Sequence, residues 1–501
     1  MFQKVKSAAK NSVVYSVANL AGKMSGVILL PIYTLYLPAA MFGLYALFEI
    51  TYQVILAFTG MGIKNALMRW YWDKNLEDKR KELFYTTFIF NLGVSILTMA
   101  GLYVVFDLLA TYLFKSPITS ELKVVFIVST FIRLVVEMPM LLLRITHQAM
   151  AHTKYQLIQL AIFVGCIAFF LIHLKMEILG IFYAFLISAS VNLIMLIPFT
   201  LRNIKCHYQR SIIKEMLAFG TPLALSNLVN LLLNMSDKLT INFFSNLKNV
   251  GNYTLAAKIS SIIDLMIVNA FMNAYTHIFF KGMDEQDNER FFAKTFTYLM
   301  LVLSFAGLAV ILFIKDLVKL LSWGSGDYLD SIPLIPVLTL GVIFGGARAM
   351  LTLPLSKYKK TRLISIISVA AGVINLAGNI ALVPFIGSMG ASIATVFTQI
   401  ITAFWSYYYV RKLDNTPYEI KRIGIIVSSS IAFSLISLFV QPEMILIRLL
   451  FNLLLLFSWP ALLYFCGVFE QTEIDRLKQA WVKWRNPKSW KRNIAKEIGK
   501  A

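Results

Sequence analysis

Apolar residues run through this chain in blocks too long for the core of a soluble domain. Stretches of roughly 18 to 26 residues alternate with short polar connectors, and about 20 helical residues cover the hydrocarbon of a bilayer. Fourteen such blocks are read, at about 12–37, 42–66, 83–109, 122–146, 155–174, 177–200, 216–243, 250–277, 294–314, 331–355, 363–383, 388–410, 422–440 and 444–468. The pattern predicts an all-α polytopic membrane protein with about 14 transmembrane helices.

Polar residues recur inside the blocks at helical spacing. Asn227, Asn230, Asn234 and Asp237 share a face of the seventh, and Ser365, Ser368, Gly372, Asn375 and Asn379 one of the eleventh. The twelfth offers Ser392, Thr395, Gln399 and Thr402, the first Tyr15, Asn19, Lys23 and Gly26. An uncompensated polar group in hydrocarbon costs several kcal/mol, so these faces turn toward protein or water. Interhelical hydrogen bonding explains any one stripe as well as a wet interior does. Four stripes together favour the wet interior.

Three landmarks recur at an offset of about 210 residues. "GLYALFEI" from Gly43 answers to "GNYTLAAKI" from Gly251, Thr153-Lys154 to Thr361-Arg362, and "ILGIFYAFLIS" with Gly180 to "SMGASIATVFT" with Gly390. The expected organisation is an N-terminal six-helix lobe (1–215), a C-terminal six-helix lobe (216–415), two added helices (416–470) and a tail (471–501). The offset spans an even number of helices, so the copies keep one membrane orientation about a pseudo-twofold along the normal. Such an arrangement places a central cavity between the lobes.

The composition, 58% hydrophobic and 15% charged, excludes an ordinary soluble domain. A net charge of +21 raises nucleic acid as a partner, but the placement of the 47 Lys and Arg argues against it. With a cytoplasmic N-terminus, roughly 33 fall on the cytoplasmic side, about 6 outside and about 8 within spans. Both termini are therefore expected inside. The tail mixes basic residues with Trp481, Trp484 and Trp490, which fits an interfacial helix on anionic lipid. Cys166, Cys206 and Cys466 are too scattered for a disulfide framework or a thiolate metal site. His147 and His152 read as interfacial side chains.

Charges deep in the spans define the candidate site. Arg133 and Glu137, four apart, are expected to pair on their own helix. Lys64, Arg144 and Arg448 lie near span ends, where they snorkel. Lys23, Lys258 and Arg348 have no opposite charge at helical spacing; Lys238 stands beside Asp237 but points elsewhere. Cations thus predominate in mid-bundle, which suits an anionic cargo such as a phosphate or pyrophosphate. Glu49, Glu137, Asp237 and Asp264 are the acids able to couple a proton or sodium gradient. No cofactor or metal is implied.

"LLPIYTLYLPAAMFGLYALFEI", "FGTPLALSNLVNLLLNMSDKLTINFF" and "VINLAGNIALVPFIGSMGASIAT" together resemble bacterial polysaccharide and O-antigen flippases of the multidrug, oligosaccharidyl-lipid and polysaccharide exporter superfamily. The resemblance implies a two-lobed inner-membrane transporter moving undecaprenyl-pyrophosphate-linked oligosaccharide, with polymerase and glycosyltransferases as partners. It also implies that Lys23, Asp237-Lys238 and Lys258 occupy the positions of the family's own charged residues. The turn from Tyr33 to Gly43 departs from the family by lacking its Arg, Ser and Glu. A lipid II flippase and a multidrug or cation antiporter are the nearest alternatives, though the first span carries a lysine and no carboxylate. A membrane polymerase or ligase is the alternative from another class, and the outer connectors are too short to build its catalytic site.

Overall fold

The computed structural model describes residues 26, 28–282, 288–322, 326–413, 416–440 and 442–475. Among them there is no β-strand. The helices are α1 Leu30–Tyr36, α2 Ala39–Gly60, α3 Ile63–Trp70, α4 Arg80–Leu109, α5 Ser120–Ile145, α6 Ala149–Ile167, α7 Glu177–Arg202, α8 Arg210–Asn234 and α9 Ser236–Phe244. They continue as α10 Leu247–Ile263, α11 Asn269–Gly282, α12 Asn288–Leu312, α13 Ile314–Leu321, α14 Leu334–Lys357, α15 Thr361–Leu413, α16 Ile420–Phe439 and α17 Ile445–Phe465.

Twelve helices among the described residues are long and apolar enough to cross a membrane. Most of the expected first span lies outside the described residues. The expected eleventh and twelfth spans form one element, α15, whose 53 residues far exceed one crossing. Its helix is interrupted at Ile386 (φ −128°) and at Gly387 (φ 56°, ψ −137°), a conformation that a side chain would oppose. The tail from 476 onward, with its expected interfacial helix, lies outside the described residues.

Helices α5 and α14 end in the same kind of turn, a left-handed residue that closes the helix. Helices α5 and α14 each carry a proline near the end, Pro139 and Pro354, and their C-terminal residues Thr146 and Tyr358 share φ −82° and ψ 12°. The next residues, His147 and Lys359, both take φ 58°. In each turn a backbone N–H reaches back to the helix at 2.9 Å, Gln148 to Leu143 and Lys360 to Leu355.

The chain forms two compact units. One comprises the described residues of Met1–Thr276 and Ile314–Leu413, the other those of His277–Phe313 and Asp414–Ala501. In the first, Phe48 packs its ring 4.3 Å from Phe114, 4.7 Å from Phe126 and 5.1 Å from Phe182, which fastens α2, α5 and α7 around one aromatic core. Gly43 of α2 and Gly251 of α10 meet back to back. A methyl on Gly43 would stand 2.1 Å from the Leu247 carbonyl oxygen, and one on Gly251 would collide with the Ala39 carbonyl. The repeat's own equivalent glycines therefore form the crossing of α2 with α10.

The second unit packs α12, α16 and α17 around Leu308, Leu312, Ile426, Trp459 and Leu463. At one end Lys294 contacts Glu419 at 3.1 Å, Glu470 at 2.7 Å and Glu473 at 3.1 Å, while Arg422 bridges Glu419 and Glu470. The Lys294 ammonium holds the Glu470 carboxyl below its usual 4.5. Burial pushes Glu473 up, but hydrogen bonds from Tyr298, the Glu470 backbone and Lys294 together bring it lower. A depressed carboxylate stabilises the fold above the unfolded pKa and loses that contribution as pH falls through the folded one. The melting temperature of the purified chain is therefore expected to drop on acidification below about 4.5, the usual carboxyl value, and Glu470→Gln to flatten that drop. An unchanged acid slope in the variant would show that other carboxylates carry it.

Candidate functional site

Helix α10 starts at Asn246, whose side chain accepts the Asn249 N–H at 2.9 Å and fixes the register of the helix. Gly251, Leu255 and Ile259 are buried, and Lys258 emerges beside that packed face. Its ammonium faces three aromatic rings, Phe42 at 5.4 Å and Tyr33 and Tyr45 at 5.9 Å each. Gly26 brings backbone close, since a methyl there would lie 3.9 Å from the Lys258 Nζ. Ring faces return about 0.5–2 kcal/mol, less than a desolvated ammonium loses. Among the described residues no carboxylate oxygen lies within 4.0 Å of Lys258, Lys238 or Arg348. The charges acting most strongly on Lys258 are Lys238 and Glu49. Those acting on Lys238 are Asp237 and Glu49. The structure thus brings Lys258, Lys238 and Glu49 into one electrostatic neighbourhood. Arg348 on α14 stands apart from it, with no charged group among the described residues acting on it. Lys23 and Asn19 lie outside the described residues.

Asp237 sits elsewhere than its spacing suggested. Helix α8 ends at Met235 (φ −105°, ψ 2°), so Asp237 begins a new helix, α9, and leaves the face of Asn227, Asn230 and Asn234. Those three asparagines are exposed on α8. The Asp237 carboxylate instead accepts from Tyr253 Oη at 2.5 Å, Thr395 Oγ1 at 3.1 Å and Asn379 Nδ2 at 2.6 Å. Ser236 donates to Asn375 Oδ1 at 2.8 Å, and Asn375 Nδ2 donates to Thr395 at 3.2 Å. Asn379 is fully buried, and its Oδ1 takes no hydrogen bond. Gln399 packs against Gly345, with its Oε1 likewise buried without a hydrogen bond. Asp264 begins a π-helical turn, Asp264–Val268, and accepts from Asn269 Nδ2 at 2.9 Å.

The acids and bases of the N-terminal helices pair across helices, in contrast to the expectation from spacing. Glu137 takes Lys64 at 3.0 Å, and Arg133 lies 3.6 Å from Glu49, an ion pair too long for a hydrogen bond. The turn at Met61 and Gly62 redirects the chain so that Lys64 of α3 meets α5 instead of reaching for the interface. The Arg133 guanidinium lies over the rings of Tyr52 at 3.4 Å and Phe185 at 4.1 Å, which holds it away from Glu137. Around these pairs lies a cavity of about 490 Å³, walled by α2, α5, α6 and α7. His152, expected at the interface, is 7% exposed and lines it, as do Gln156 and Gln159, which sequence reasoning missed. His152, Gln156 and Gln159 recur at spacings of four and three, the one signal that marked them. Among the described residues no cluster of His, Cys, Asp and Glu suits a metal ion.

A family model described as "Polysaccharide biosynthesis protein" matches residues 8–283. No curated protein matches the sequence. Among solved structures the fold is similar to "Lipid II flippase MurJ, inward closed conformation", with TM-score 0.71 and 13% identity over 91% of this chain and 100% of that one. It is also similar to a multidrug resistance MATE family transporter of the MOP superfamily in its inward-facing form, with TM-score 0.61 and 17% identity over 82% of this chain and 96% of that one. The outward-facing form gives TM-score 0.56 and 18% identity over 81% and 97%. At such identities the likeness establishes the fold alone, and it is the exporter-superfamily fold that the sequence resemblance implied.

Proposed function

We propose, since the chain belongs to the polysaccharide biosynthesis protein family, that it is a flippase of undecaprenyl-pyrophosphate-linked oligosaccharide in the bacterial cytoplasmic membrane. It carries an O-antigen, capsule or exopolysaccharide repeat unit outward by alternating access, with both termini cytoplasmic and no bond of the cargo broken. The observation that carries this reading is Lys258, an ammonium with no carboxylate oxygen within 4.0 Å among the described residues, beside the crossing of α2 and α10. A lipid pyrophosphate supplies the missing charge, and Lys238 adds to the attraction. Lys23, by its position in the sequence, and Arg348, on α14, are assigned to further stretches of the cationic path, and Arg133 to the N-terminal lobe. Glycosyltransferases and a polymerase would act before and after it on the same lipid-linked sugar.

The driving gradient is assigned to Asp237. Its carboxylate lies beside the unused Asn379 Oδ1 and the Thr395 hydroxyl, oxygen donors of the kind a sodium ion takes. The MurJ-like fold favours a second reading, a lipid II flippase.

Proteoliposomes loaded separately with the two lipid-linked substrates separate these readings. The proposal expects transport of the oligosaccharide lipid and little of lipid II. In cells, Lys23→Ala is expected to abolish surface polysaccharide at unchanged protein level. Normal export in that variant would remove Lys23 from the path.

A further inference from the structure

The cavity among the N-terminal helices holds a charge that its own walls do not balance. Glu49 is taken by Arg133 and Glu137 by Lys64, which leaves Arg144 exposed at the rim with no carboxylate within 4.0 Å among the described residues. Among the buried wall atoms without a hydrogen bond are Arg133 Nη1, held in the Glu49 ion pair at 3.6 Å, and Gln156 Oε1. One is a donor and the other an acceptor. Gln159 spends its Oε1 on Asn192 at 2.7 Å and has its NH₂ group to offer. Phe163 and Phe185, stacked at 4.4 Å, add an apolar stretch to the lining. At about 490 Å³ the space is of small-ligand size.

We propose that this cavity binds a carboxylate-bearing sugar, a hexuronate or equivalent acidic residue of the saccharide cargo. The inference rests on the flippase reading for its source of ligand and adds a substrate class to it. A single surplus cation matches a monoanionic carboxylate better than a multiply charged pyrophosphate, and a guanidinium accepts a carboxylate in a two-bond fork. A sugar hydroxyl can donate to Gln156 Oε1. Ligand entry would thus satisfy the Gln156 acceptor and the surplus charge at once.

Isothermal titration of the full-length chain in nanodiscs tests this with a glucuronate-terminated disaccharide, its neutral methyl ester and inorganic phosphate. The acid is expected to bind at least about tenfold more tightly than the ester. Arg144→Gln should remove that preference and leave the ester's Kd unchanged, and Gln156→Ala should weaken both sugars. Lys258→Ala should leave the preference for the acid over the ester as it was. Equal binding of acid and ester, competition by phosphate at the same strength, or no binding of either sugar would overturn the inference. Failure of oligosaccharide-lipid transport with the acid preference intact would instead remove the flippase reading and leave the pocket assigned.

Discussion

Lys258→Ala is expected to slow translocation of the oligosaccharide lipid by at least about tenfold, from the roughly 1.5–3 kcal/mol that a hydrogen bond to a charged group contributes. Thermal stability should hold or rise slightly. In the resting protein this ammonium gains only ring faces, and among the described residues no acid repays its desolvation. Removing it therefore removes a cost to folding along with the site for the cargo. The contrast with a structural cation is measurable in the same preparation. Arg133 is engaged with Glu49, Tyr52 and Phe185, so Arg133→Ala strands a buried carboxylate and should lower the melting temperature as well as transport. A Lys258→Ala protein that melts much earlier than wild type would mark the residue as part of the packing.

Gly251→Ala is expected to produce a large loss of stability for a single added methyl. The new Cβ would overlap the Ala39 carbonyl oxygen and lie 3.1 Å from the Gly43 nitrogen, both backbone atoms that no rotamer change can move. Helices α2 and α10 would have to separate, at or beyond the upper end of the roughly 1–3 kcal/mol seen for overpacked cores. Gly424→Ala in α16 is the control, because nothing lies within 4 Å of its added methyl. There the helix gains about 0.5–1 kcal/mol from the better helix former. Comparable melting temperatures for the two variants would mean that the crossing is looser than its backbone distances state.

Much of this architecture is legible in the sequence because the bilayer imposes it. Long apolar blocks mark the crossings, and the Gly43 and Gly251 landmarks mark the contact between α2 and α10. Pairings across helices are less visible. Lys64 and Glu137 are 73 positions apart, and only the bend after Gly60 makes them neighbours, so helical spacing favours the wrong pair, Arg133 with Glu137. The break at Met235 is hidden for a similar reason. Nothing in "NLLLNMSDKL" requires a new helix there, yet it removes Asp237 from the α8 stripe and delivers it to Asn379 and Thr395 of α15. The cavity around His152 depends on four helices at once, and no one of them carries its pattern alone.

The central claim is that unpaired cations near the α2 and α10 crossing receive a lipid pyrophosphate. Binding of undecaprenyl pyrophosphate and of uncharged undecaprenol to the full-length chain in nanodiscs tests it most directly, with wild type and Lys258→Ala side by side. The account predicts at least about a tenfold preference of the wild type for the pyrophosphate, largely lost in the variant. Equal affinity of the wild type for the two lipids, or a preference that survives in Lys258→Ala, would contradict it.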